Sequence, residues 1–379
     1  MRKLFTILGF VVLSVVAVTP CFAMGSFAVT SIPVANFAGW AATLNAKVLV
    51  GDFNGDGKAD VAITGPSGWA NLPVAFSNGD GTFNITNAAA GNFAGWAATT
   101  NANVLIGDFN GDGKTDVAVT GPSGWNNLPV AFSNGDGTFN VTNGAAGSFP
   151  GWAATLNARP LVGDFNGDGK ADLAITGPSG WNNLPVAFSK GDGTFNVTNA
   201  TAGNFPGWAA TPNAKILVGD FNGDGKTDLA ITGPSGWNNL PVAFSKGDGT
   251  FNITNQPITN FNGWAATPNA TPLVGNFSGD GKADVALTGP SGWNNMPVAF
   301  SNGDGTFKVT NDPIGNFNIW AATPNARPLV GDFNGDGKTD VALTGPAGWN
   351  NLPVAFSNGD GTFNVTNQPT SNFSQRDTR

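Results

Sequence analysis

Residues 47–52, 59–64 and 72–77 intersperse apolar with polar or small side chains, and 83–87 (Phe-Asn-Ile-Thr-Asn) makes a fourth short run of the same kind. Runs of this length, bounded by Gly- or Pro-rich segments, read as β-strands joined by tight turns. No helical periodicity shows beyond the N-terminus. The pattern then repeats. Gly-Asp-Phe-Asn-Gly-Asp-Gly-Lys begins at Gly51, Gly107, Gly163, Gly219 and Gly331, and its variant Gly-Asn-Phe-Ser-Gly-Asp-Gly-Lys begins at Gly275, with steps of 56 residues and no insertion. A period that regular requires every unit to meet the same kind of neighbour, as in a propeller or a solenoid. Four short strands per unit predict an all-β chain, a β-propeller of six four-stranded blades. A seven-bladed ring and a β-solenoid are the alternatives, the second lacking obvious polar caps. Phe27–Thr30 stands 56 residues before Phe83–Thr86, a seventh copy of the fourth strand that would close a ring by exchange or add an edge.

Composition supports a folded chain. Only 11% of the 379 residues are charged, yet 41% are hydrophobic, and 54 Gly and 25 Pro suit many turns. Arg2 and Lys3, the apolar run Leu4–Val18 and the small residues at Cys21–Ala23 read as a secretory signal over residues 1–23, cleaved near Ala23, leaving one domain over 24–379. About 15 apolar residues is short of the roughly 20 that a membrane span needs. The protein is therefore expected to be secreted or held at the cell surface, with no membrane span in the mature chain. Cys21 is the one cysteine, so disulfides cannot staple the exported protein. Losing Arg2 and Lys3 takes the net charge from −8 to −10, which speaks against nucleic acid as a partner.

The loop after the first strand carries oxygen donors at positions 1, 3, 5 and 9, with glycines at 4 and 6 and a backbone carbonyl at 7. This alternation suits a hard, oxygen-seeking cation, and Ca²⁺ is expected at about one per repeat. The candidate ligands are Asp52, Asn54, Asp56, Lys58 (through its carbonyl) and Asp60 in the first repeat, then Asp108, Asn110, Asp112, Lys114 and Asp116. Asp164, Asn166, Asp168, Lys170 and Asp172 follow, then Asp220, Asn222, Asp224, Lys226 and Asp228. The fifth loop offers Asn276, Ser278, Asp280, Lys282 and Asp284, and the sixth Asp332, Asn334, Asp336, Lys338 and Asp340. The chain has no Glu, and 17 of its 25 Asp lie in these loops. Asx turns that bind nothing are the alternative; unneutralised, so many carboxylates would repel one another. Having lost one carboxylate, the fifth loop is expected to be the weakest site. Extracellular modules bind calcium at about 10⁻⁴ to 10⁻³ M.

On Leu49–Gly57 followed by Asp60–Pro66, the chain resembles the FG-GAP (or VCBS) repeat family, which builds the propeller of integrin α-subunits with calcium in this loop. With Asn92-Phe93…Gly95-Trp96 and Asn78–Phe83 added, it is similar to fungal integrin-like propeller lectins over residues 25–373. The departures are six repeats where those lectins have seven blades, and the insert Pro-Ser-Gly-Trp-x-Asn-Leu-Pro between the second and third strands.

Tryptophan falls in two series. Trp40, Trp96, Trp152, Trp208, Trp264 and Trp320 follow the Asn-Phe phrase and read as inter-blade packing. Trp69, Trp125, Trp181, Trp237, Trp293 and Trp349 sit in the insert, next to amides such as Asn71 and Asn127. A flat apolar ring beside amides suits a sugar, so this series is the candidate ligand contact, with packing as the alternative. Asp80 in Ser77–Phe83 reads as a hairpin turn. The absence of His, Glu and Tyr, with Cys21 removed, excludes Ser–His and Cys–His chemistry and a Tyr nucleophile. No acidic cluster breaks the repeat symmetry as a glycosidase pair would, so no catalytic residue and no enzyme activity are expected. The expected function is multivalent carbohydrate binding (lectin-like) or adhesion, with glycans or cell-surface proteins as partners. An integrin-like protein-binding scaffold is the alternative, and a polysaccharide-acting enzyme ranks below both.

Overall fold

The computed structural model describes residues 34, 36–346 and 348–369. The leader and the strand-like copy at Phe27–Thr30 fall outside the described residues. In the first repeat, β1 (Lys47–Gly51), β2 (Asp60–Thr64), β3 (Asn71–Ser77) and β4 (Phe83–Ala89) pair antiparallel in chain order. The same meander recurs over 103–145, 159–201, 215–257, 271–313 and 327–369. These are the six four-stranded blades of a β-propeller, as the repeat count predicted. Strand bounds agree with the sequence reading to within two residues.

One expectation fails in every repeat. The Asn-Phe-x-Gly-Trp phrase forms a helix, α1 (Phe37–Ala41) and its five counterparts. Each is a single turn of five residues, too short to display a 3.6-residue period. Its Phe anchors it: the side chains of Phe93, Phe149, Phe205, Phe261 and Phe317 are fully buried.

The core lies between sheets. All five residues of β2 are buried, because that strand has neighbours on both faces. Within the unit made of blades one to three and residues 245–251, Leu49, Phe53, Leu72 and Val74 of the first blade meet Val117, Val119 and Ala131 of the second. In the unit made of the rest of blades four to six, Leu273, Phe277 and Val298 likewise meet Val341, Leu343 and Ala355. Gly51 marks how near the sheets come, since a Cβ there would lie 2.5 Å from Thr115.

β3 is irregular in a way that matters. Its pairing with β2 covers only Val61↔Ala75 and Ala62↔Val74, whereas its pairing with β4 runs the full seven residues. The next residue of β3 is Pro73, which has no N–H to donate. The two strands part there, and the insert carrying Trp69 leaves from that gap.

Candidate functional site

Each blade has two chemically distinct ends. The Asp loop and the Asp80-type hairpin share one. The helix and the Trp69-type insert share the other, a five-residue strand of about 15 Å away.

In the Asp loop, Phe53 is wholly buried and pins the segment to the core. Gly55 turns the chain at φ +77°. Asp52 Oδ1 accepts the N–H groups of Gly55 (2.7 Å) and Asp56 (3.1 Å), and Oδ2 accepts that of Gly57 (2.7 Å). Asn54 Oδ1 accepts Asp56 N–H, and Lys58 Nζ pairs with Asp56 Oδ2 at 2.6 Å. Burial works against ionisation of Asp56, but the ammonium and N–H of Lys58 outweigh it and hold the carboxyl below its usual range. Asp60 stands apart from this group. It is buried, its Oδ2 accepting Phe53 N–H (2.9 Å) and its Oδ1 accepting Ser77 N–H (2.8 Å). Positions 1, 3 and 5 thus satisfy the loop backbone, and position 9 ties the loop to β3. Among the described residues, no three or more acidic side chains form a group placed to hold a metal.

The position-9 carboxyls are strongly perturbed. Burial, reinforced by the charges of Asp108 and Asp112, pushes Asp116 up to about 8 against two backbone N–H donors. Asp172 is likewise raised to about 8, Asp340 to about 7 and Asp60 to about 6. Burial raises Asp284, which has no exposed surface, to about 6, the same value as Asp60. Its loop has Asn276 in place of the first carboxylate, and Ser278 adds a hydrogen bond.

The loop also joins blades. Thr115 N–H donates to Asp52 O at 2.6 Å, and Ser133 Oγ to Phe53 O at 2.6 Å. Ala283 N–H to Asp220 O and Ser301 Oγ to Phe221 O repeat the arrangement in the second unit. At the hairpin, Asp80 Oδ1 accepts both the N–H and the Oγ–H of Thr82, so the turn reading holds.

At the other end, Trp40, Thr43, Trp69, Ala70, Asn71, Pro73 and Asn87 line a cleft of about 370 Å³. None of these residues is charged. The proposed division between the two tryptophan series does not survive. Trp40 and Trp69 are both half-buried, both pack on the same core cluster, and both face the cleft. Trp96 with Trp125, Trp152 with Trp181, Trp264 with Trp293, and Trp320 with Trp349 are likewise paired against the cores. Asn71 is more committed than expected, because its Nδ2 donates to Asn87 O across β3–β4 at 3.0 Å. Sequence reasoning missed Trp40, Thr43, Pro73 and Asn87. The signal was available: of the seven lining positions, all but that of Ala70 carry the same residue in all six repeats. A second cleft of about 470 Å³, at the loop end, is lined by Asp168, Lys170, Lys190, Asn196 and Asp248 among others.

No curated protein matches the chain. Among solved structures, it is similar to an Agrocybe aegerita lectin described for specific recognition of non-reducing terminal N-acetylglucosamine. The identity is 24% over 86% of this chain and 80% of that one, with a TM-score of 0.68. It is also similar to part of the Photorhabdus luminescens Tc holotoxin pore, at 17% identity over 81% of this chain and 13% of that one, with a TM-score of 0.50. These likenesses concern the fold. The FG-GAP-like repeat itself matches at residues 52–119, 108–175, 164–231, 220–287 and 276–343. Each match starts at the first residue of an Asp loop and ends in the second strand of the next blade. The chain belongs to the FG-GAP-like repeat family.

Proposed function

We propose that this protein is a secreted, calcium-binding β-propeller that binds uncharged sugars through its tryptophan clefts. One observation carries the reading: Trp40 and Trp69 converge on a cleft of about 370 Å³ with no ionisable group in its lining. Two indole faces offer a sugar's C–H surface its apolar partner, and the Asn71 side-chain oxygen and the Asn87 amide supply hydrogen bonds. Six of the seven lining residues recur in every repeat, so weak single sites would add up by avidity on a glycan-bearing surface. The lectin whose fold it shares supports this reading. With no His, Glu or Tyr and no asymmetric acidic pair, the protein acts by binding and not by catalysis.

The calcium reading rests on the donor chemistry. Each loop offers only oxygen ligands, and the hairpin aspartates such as Asp80 are turn residues. Loading would require Asp56 to exchange the Lys58 ammonium for the cation. A glycan array in calcium buffer tests the sugar reading, and metal analysis of the purified protein tests the ion. Silence on the array from folded protein would end the first; an ion content near zero would end the second. Leu44 and Leu156, 83% exposed at the cleft end, favour protein docking as a second reading. A pull-down whose partners resist sugar competition would select it.

A further inference from the structure

We infer that the loop-end cleft of the third blade binds a carboxylate-bearing sugar, a hexuronic acid, with the Lys190 ammonium holding its carboxylate. The site lies at the loop end, away from the tryptophans, and does not depend on the reading of the tryptophan clefts.

The hairpin residue after the third strand is Asn78, Asn134, Asn302 or Asn358 in four blades, but Lys190 in the third and Lys246 in the fourth. Where Asn stands there, its Nδ2 donates to the hairpin threonine at 2.7–2.9 Å. In the first and sixth blades its Oδ1 also accepts the side-chain amide of the following strand, from Asn84 at 2.8 Å and from Asn364 at 2.7 Å. Lysine offers no acceptor, so the third blade loses the amide's partner. The Lys190 ammonium makes no hydrogen bond or ion pair among the described residues, and Asp192 attracts it only through space. Asn196, the counterpart of Asn84, likewise makes no side-chain hydrogen bond among them. One substitution thus frees a cation and an amide together. Both are exposed and both line the cleft of about 470 Å³, within the unit that holds blades one to three and residues 245–251. The volume is in the range of small-ligand sites. The other charges of the lining are engaged. Lys170 Nζ pairs with Asp168 Oδ2 at 2.8 Å. Asp248 Oδ1 accepts the N–H (2.8 Å) and the Oγ–H (2.6 Å) of Thr250. Two lysines and two aspartates leave the lining neutral, so an anion meets Lys190 with no net opposing charge. The aspartate and amide oxygens still call for donors, which a bare anion lacks and sugar hydroxyls supply. A uronic acid carries both, one carboxylate for the ammonium and several hydroxyls for the oxygens.

The test titrates the full chain with galacturonate, glucuronate, galactose and acetate, read by ligand-observed NMR. At least one uronate should bind more tightly than both galactose and acetate, and its affinity should fall as salt is added. Lys190→Asn installs the residue that four other repeats carry, so it should fold with an unchanged melting midpoint and weaken uronate binding about tenfold, the worth of one charge-assisted hydrogen bond. Lys190→Arg keeps the charge and should keep the binding. Asn196→Ala, at an exposed side chain, should weaken it about threefold and serves if Lys190→Asn does not fold. Failure of the folded wild type to bind either uronate, an affinity unchanged in Lys190→Asn, or acetate bound as tightly as the uronates would each overturn the inference. None of these results bears on the tryptophan clefts, whose own test is the array of neutral sugars.

Discussion

Replacing the same threonine by valine in two blades should have opposite effects. Thr232 Oγ1 donates to Asn262 Oδ1 at 2.6 Å, with both residues buried, and Asn262 Nδ2 donates in turn to Asn239 O. Thr288 and Asn318 repeat the latch at 2.7 Å. In the earlier repeats the position of Asn262 holds Ala94, Pro150 or Pro206. There the hydroxyls of Thr64, Thr120 and Thr176 are buried with no partner among the described residues. Valine keeps the β-branch and nearly the volume, so strand preference changes little. Thr232→Val should cost about 1–3 kcal/mol, because it removes a hydrogen bond and strands the buried Asn262 carbonyl. Thr64→Val removes a hydroxyl that is buried at a cost of its own, and should stabilise by about 1 kcal/mol. Denaturant unfolding followed by tryptophan fluorescence reads both, compared as midpoints because blade arrays need not unfold in one step. Ala94→Asn offers a complement by installing the missing latch opposite Thr64. If both valine variants destabilise equally, partner state is not what decides, and the reasoning fails.

Three further expectations follow from the loops and the core. With calcium near 100 times its dissociation constant, each loaded site should add about 2.7 kcal/mol, so the melting midpoint should rise with calcium and fall with EDTA, and Asn276→Asp should raise the ion count or tighten the weakest site; no shift and no bound ion would leave the loops as turns. In metal-stripped protein, Asp116 holds its proton up to about 8 when folded, whereas an unfolded aspartate releases it near 3.9. The stability from this group is full below about pH 4 and is lost as pH rises through 8, so Asp116→Asn should flatten that decline in a series of denaturation curves. Phe109→Ala empties a fully buried site between the second and third blades and should cost about 3–5 kcal/mol; a loss under 1 kcal/mol would show that the cores are not the main inter-blade contact.

Much of the fold was legible because it is local and repeated. Strand, turn and strand follow one another within a few residues, and a 56-residue period with no insertion admits few architectures. The Asp loop was legible as a motif, but the direction of its side chains was not. Asp60 sits in sequence with Asp52 and Asp56 yet turns to Phe53 and Ser77 N–H, because it begins β2 and follows that strand's pleat. The helix of Phe37–Ala41 escaped notice because one turn carries no period.

The sequence by itself determined the repeat, the strands and turns within it, the oxygen-rich loops and the lack of His, Glu and Tyr. These follow from residue type, spacing and short-range backbone preference. The tertiary structure alone decided what lies next to what over longer separations. It brought Trp40 to Trp69 across 29 residues, spent the Asn71 amide on a neighbouring strand, and gave Thr232 a partner that it denied to Thr64. The reason is physical: a side chain's remaining valence for a ligand depends on which backbone groups the packed sheets place within reach, and that reach is set by packing between blades rather than by order along the chain.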